Sequence, residues 1–164
     1  STPTAEEMAF LAKDFGEIDL NTVPVPVTFR EVVQQRRDEI ERCLEAKAPL
    51  ATIFLCGSTL EGLLLALAES NPRQFNQATA APARDGTVKP FGEWTLQNLI
   101  AVSRELGLVG EDVLKHADAV RDFRNYIHPR QQIRENFMPR MFTAEMADKV
   151  LRAAIADLAA RGSS

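Results

Sequence analysis

The sequence predicts an all-α fold, on three observations. Apolar residues recur at three- and four-residue spacing over most of its 164 residues, the period of an amphipathic helix. Capping-box strings open two of these stretches, and prolines and glycines stand where helices should start and stop. No segment alternates apolar and polar residues in the manner of a half-buried strand, and no internal repeat appears. With 45% apolar residues and no low-complexity tract, residues 1–164 can bury a substantial core as a single helical domain.

Each element follows from local chemistry. Thr4-Ala5-Glu6-Glu7 is a capping box that opens a short helix, which Gly16 can end. The prolines of Val23-Pro24-Val25-Pro26-Val27 hold an extended linker, so residues 1–27 form a leading arm and residues 28–160 the bundle. Thr28-Phe29-Arg30-Glu31 is a second capping box, and Phe29, Val32, Val33, Ile40, Cys43 and Leu44 trace a helix that should stop near Pro49. Pro49 suits the first turn of a central helix reaching about Glu69.

The stretch Leu50 to Ala68 has the length and apolarity of a bilayer span, yet it contains Glu61, Ser58, Thr59 and two glycines. A central acid costs at least about 2.5 kcal/mol on insertion scales, so the expectation is a buried bundle helix and no membrane. Residues 70–94, with Pro72, Pro82, Gly86, Pro90 and Gly92, form a long connection without periodicity, of a length that compact domains reserve for function or leave partly mobile. Phe91 and Trp94 anchor its far end. Leu96, Leu99, Ile100, Ser103 and Leu106 give a helix closed by Gly107. Another helix runs from Glu111 to Ile127 and is halted before Pro129, and Thr143 caps a last one with the stripe Met146, Ala147, Val150, Leu151, Ala154, Ile155 and Leu158.

Charge narrows the function classes. The net charge is -4, but residues 1–20 place five acids against Lys13, which leaves the remainder neutral and without a bulk nucleic-acid signature. Residues 121–140 differ: Arg121, Arg124, Arg130, Arg134 and Arg140 face only Asp122 and Glu135, a local excess suited to phosphate. Cys43 and Cys56 have no C-x-x-C partner, and no His or acid cluster has metal-ligand spacing, so the expectation is reduced packing cysteines, no metal and no cofactor. No secretory leader pattern opens the chain, which points to the cytoplasm.

The most informative stretch is Val120-Arg121-Asp122-Phe123-Arg124-Asn125-Tyr126-Ile127-His128-Pro129. On an α-helix, at about 100° per residue, Arg121, Arg124 and His128 share an arc of roughly 60°, with Arg124 near the centre of the core stripe set by Val113, Ala117, Val120 and Ile127. Histidine moves protons near neutral pH, and arginine grips phosphate bidentately. Together they suit metal-free RNA cleavage: His128 manages the proton of the 2′-hydroxyl or the leaving oxygen, and an arginine holds the phosphate. A second copy from a symmetric dimer would supply the missing acid or base. The same residues also fit a structural role, with Glu61 of the central helix pairing Arg124 and His128 capping the C-terminus of the helix that precedes it.

This stretch resembles the HEPN superfamily, together with the Gly57-Ser58-Thr59-Leu60-Glu61-Gly62-Leu63-Leu64-Leu65 run and Trp94-Thr95-Leu96-Gln97-Asn98-Leu99-Ile100. The similarity spans roughly residues 28–160. The family motif is an arginine, often followed by Asn, Asp or His, with four to six residues before a histidine. Arg121-Asp122 with His128 has the longest such spacing; Arg124-Asn125 has the commoner dipeptide with three residues before His128. The resemblance implies a four-helix bundle with additional short helices, usually homodimeric. It implies either a metal-independent endoribonuclease of toxin–antitoxin or defence systems or an inactive binding module. For this chain it points to Arg121, Arg124, Asn125 and His128 as catalytic candidates, Glu61, Asp122 and Tyr126 as supporting groups, and Arg130 and Arg134 as RNA-binding residues. RNA, a second copy, and an antitoxin or other protein are the implied partners. The competing class is a non-catalytic interaction module in which the same residues form a structural network.

Other constellations read as packing. Cys56-Gly57-Ser58-Thr59 lacks the strand of a nucleophile elbow, and Gly57 and Gly62 allow close helix approach. His116 stands alone at the edge of the core, and Phe137, Met138, Met141 and Phe142 cluster as a flap over the core or as a dimer patch.

Overall fold

Helix α3 (Pro49–Ser70) is the element around which the chain is built. In the computed structural model, which describes residues 2–162, α3 packs against α2 (Val27–Glu45), α5 (Leu96–Glu105) and α8 (Met141–Gly162). It is the one described helix long and apolar enough to cross a membrane, and half of that window is buried within the protein. Cys56, Leu60, Leu63, Leu64 and Leu67 meet Ala147, Val150, Leu151, Ile155 and Leu158 of α8 in one apolar core. The fold is an all-α helical bundle, as the periodicity predicts.

The leading arm is part of that core. Helix α1 (Ala5–Leu11) has the capping box of Thr4 and Glu7, and it ends at Ala12, ahead of Gly16. Its Phe10 is buried and stacks on His116 with ring centroids 4.3 Å apart. Val23 and Val25 are 2% and 6% exposed, so the proline segment is an anchored strap rather than a solvent linker. Proline geometry carries the chain straight into α2 at Val27, with Pro26 at the N-cap position; the Thr28 capping box therefore does not form.

The connection after α3 carries more structure than its composition suggests. It contains α4 (Pro72–Gln77), an antiparallel ribbon of β1 (Ala83–Arg84) and β2 (Thr87–Val88), and a 3₁₀ turn at Phe91–Glu93. The ribbon overturns the expectation of no strand. Asp85 and Gly86 both adopt positive φ, the requirement of a tight hairpin that the Asp-Gly dipeptide meets. Phe75, Phe91 and Trp94 form an aromatic cluster under it, and the Trp94 indole donates to the Lys89 carbonyl at 2.8 Å.

Two helix boundaries shift from expectation. α8 begins at Met141, so Thr143 lies inside its first turn instead of capping it. The continuous helix expected from Glu111 to Ile127 does not exist. α6 (Glu111–Lys115) stops at His116, and 3₁₀ turns follow at Ala117–Ala119 and Phe123–Tyr126. His128 is then extended before α7 (Pro129–Arg134), as the ring of a following proline demands.

Candidate functional site

The approach of residues 123–126 to α3 is set by Gly57. A Cβ there would lie 2.5–2.7 Å from Phe123 ring and Cβ atoms, so only glycine admits the Phe123 side chain against the helix backbone. Phe123 is 2% exposed and meets Phe54 edge-on. Seating Phe123 fixes its neighbour. Arg124 lies one turn along α3 from that contact, beside Glu61, and the two form a bidentate pair: Nη2 donates to Oε1, and Nε donates to Oε2 at 3.2 Å. Hydrogen bonding and charge from Glu61 raise the Arg124 pKa above its ordinary value.

The pairing of Arg124 with Glu61 follows the sequence expectation, but its setting does not. The Glu61 side chain is 15% exposed and that of Arg124 67%, so the guanidinium lies at the surface over a largely covered carboxylate. Phe123 occupies the core side in its place. Arg121 is also exposed, with Nη1 2.9 Å from Asp118 and Nε 3.4 Å from Asp122.

A groove of about 550 Å³ opens under these groups. Its lining joins Glu61 and Leu65 of α3, Phe91 and Trp94, the first turn of α5 with Gln97, and the run Arg121 to Asn125. Arg121, Asp122, Arg124, Asn125 and Glu61 are therefore brought together. Trp94, Thr95 and Gln97 enter with the α5 N-terminus, where Thr95 and Asn98 form a capping box; Asn stands where Glu or Gln signals that box, so the sequence carries no clear mark of it.

His128, Arg130 and Arg134 do not line the groove. The single-face arrangement expected of Arg121, Arg124 and His128 fails because 3₁₀ geometry and the extended His128 separate them. The His128 imidazole is exposed, and the α-helix whose C-terminus it is expected to cap already ends at Lys115. Arg130 and Arg134 project from α7 into solvent. Tyr126 faces away toward the flap, stacked on Phe137 at 3.5 Å, and burial pushes its phenol pKa up.

Two further sets of polar contacts, which the sequence does not signal, tie α2 to α3 and α2 to α8. Arg36 donates to Ser58 Oγ at 2.8 Å, and Arg152 of α8 bonds buried Asp148 at 3.0 Å and approaches Glu41 at 3.6 Å. Burial pushes the Cys56 thiol well above its ordinary pKa, with Asp148 adding to the shift, so this thiol is a packing group. No cluster of His, Cys, Asp and Glu suited to a metal ion occurs among the described residues. The chain matches no known family model, and no match to it is found among curated proteins or solved structures.

Proposed function

We propose that this protein is a HEPN-like module that holds RNA in the groove beneath Arg121, Arg124 and Asn125. The observation that carries the reading is the convergence of two exposed arginines and an asparagine on one groove with an aromatic wall. Glu61 uses two Arg124 donors and fixes the plane of the guanidinium; the remaining donors of its five are left for a phosphate oxygen. Asp118 and Asp122 orient Arg121 in the same way. Phe91 offers an apolar surface to a base or ribose, and the Asn125 and Gln97 amides offer polar contacts along the groove.

Cleavage is a further step in this reading, and it needs a histidine that the chain's own groove lacks. A homodimer would bring His128 of a second copy to the phosphate, there to take the 2′-hydroxyl proton or protonate the leaving oxygen. One observation favours the non-catalytic alternative: both motif arginines are already paired with carboxylates, which suits a structural network.

The test is fluorescence anisotropy with single-stranded RNA in EDTA, followed by gel analysis of the same samples. The proposal expects salt-sensitive binding that weakens in Arg121→Ala and Arg124→Ala, and any cleavage to vanish in His128→Ala. Wild-type protein that binds no RNA would refute it and leave the structural network as the better account.

A further inference from the structure

Helix α7 and its flanking turns make a second surface, outside the groove. Between Ile127 and Met138 three large apolar side chains face solvent: Ile133 is 79% exposed, Met138 75% and Ile127 48%. Arg130 and Arg134 are exposed among them, and neither has a carboxylate partner among the described residues. The backbone beneath is held in place. Asn136 adopts φ 50° and ends the helix, the Phe137 N–H donates to the Gln132 carbonyl at 3.1 Å, and the Phe137 ring stacks on Tyr126. The apolar side chains therefore project from a closed turn, which lowers the ordering cost of a contact made there.

We propose that this surface docks an acidic segment of another protein, one that also carries apolar side chains. Charge selects the sign of the partner: residues 127–138 hold Arg130 and Arg134 against Glu135 alone in a chain of net charge -4, so the positive excess is local to this surface. Side-chain type selects its class. Single-stranded RNA is gripped by aromatic faces, and the two rings of this turn, Tyr126 and Phe137, are spent on each other. What faces outward is aliphatic and thioether surface beside arginine, and methionine and arginine are enriched in protein interfaces. Polyacid alone would satisfy Arg130 and Arg134 and leave Ile127, Ile133 and Met138 wet.

The experiment titrates the full chain against four probes: a labelled amphipathic peptide of Leu and Glu, polyglutamate, a single-stranded RNA oligonucleotide, and phosphatidylserine–phosphatidylcholine vesicles. The Leu–Glu peptide should bind, move amide resonances between Ile127 and Met138, and lose about tenfold or more in affinity, about 1.4 kcal/mol or more, in Ile133→Asp, Met138→Asp and Arg134→Glu. Polyglutamate should bind more weakly by a similar factor. These positions are solvent-facing, and unchanged melting temperatures establish that the variants fold. Absence of peptide binding, or binding indifferent to Ile133→Asp, overturns the proposal. So does loss of RNA binding, vesicle binding or self-association in Ile133→Asp without a matching loss of peptide binding. The groove plays no part in this test, so RNA binding at Arg124 stands or falls separately.

Discussion

Removing Arg124 should cost the fold more than removing Glu61, although the two form one ion pair. The asymmetry follows from their exposure, 67% for the arginine side chain and 15% for the glutamate. Arg124→Ala strands a carboxylate in a largely covered position. A fully buried pair broken in this way costs about 3–5 kcal/mol, and an exposed pair is worth about 0.2–1 kcal/mol. With one partner covered and the other screened by water, about 1–2 kcal/mol is expected, between those limits. Glu61→Ala instead releases an arginine that is already in solvent, and it should cost under about 1 kcal/mol. Urea denaturation of wild type, both single variants and the double variant closes the cycle, with a coupling energy of about 0.5–1 kcal/mol that shrinks at high salt. Equal costs for the two single variants, or a coupling of zero, would refute the reasoning; the first would mean the exposures do not govern the pair, the second that the pair does not exist in solution.

Gly57→Ala should destabilise the fold by about 1–3 kcal/mol through overpacking against Phe123, despite the better helix propensity of alanine. If the groove binds RNA, the same variant should also weaken RNA binding, because displacing Phe123 moves Arg124. Thiol titration should show Cys43 reacting in the native protein and Cys56, fully buried with its pKa pushed up by burial, reacting only on unfolding. α1 should loosen in acid. Folded Glu6 is held below its ordinary pKa of 4.5 by its hydrogen bond with Lys115, and Glu7 below its own by the Thr4 backbone N–H. Their contribution is therefore fully present above that value and is lost as pH falls through the lowered folded values; hydrogen exchange at residues 5–11 measures it.

The long helices were legible because burial on one face writes a 3.6-residue period into sequence, and the central helix showed itself by being apolar on almost every side. The motif region departs from the α-helical expectation for a related reason. Ala117, Val120 and Phe123 are buried, and Tyr126 is partly so. Their spacing is three throughout, the period of a 3₁₀ helix, in which residues three apart eclipse. The α-helical reading instead joined Val113, Ala117, Val120 and Ile127, and it put Arg124 in the core and Ile127 beside it. Ile127 is 48% exposed. What decides between the two periods is the fit of Phe123 against Gly57, a contact between residues far apart in sequence, and no local pattern records it.

That difference in period also bears on chemistry. On an α-helix, Arg124 and His128 stand one turn apart on a shared face, and a single chain would assemble both phosphate clamp and proton carrier. With a 3₁₀ turn ending in an extended His128, the arginines go to the groove wall and the imidazole to solvent beyond it. Proton transfer requires contact within hydrogen-bond reach of the reacting oxygen, directly or through one water. In the proposed reading, a monomer with this geometry would hold a phosphate without cutting the chain that carries it. Cleavage by this protein, if measured, should therefore depend on dimer formation. Mixing His128→Ala protein with an excess of Arg121→Ala/Arg124→Ala protein should restore part of the activity that each lacks alone, because a mixed dimer rebuilds one groove from two chains. Cleavage that persists in dilute monomer would refute the shared site and require His128 to swing into its own groove.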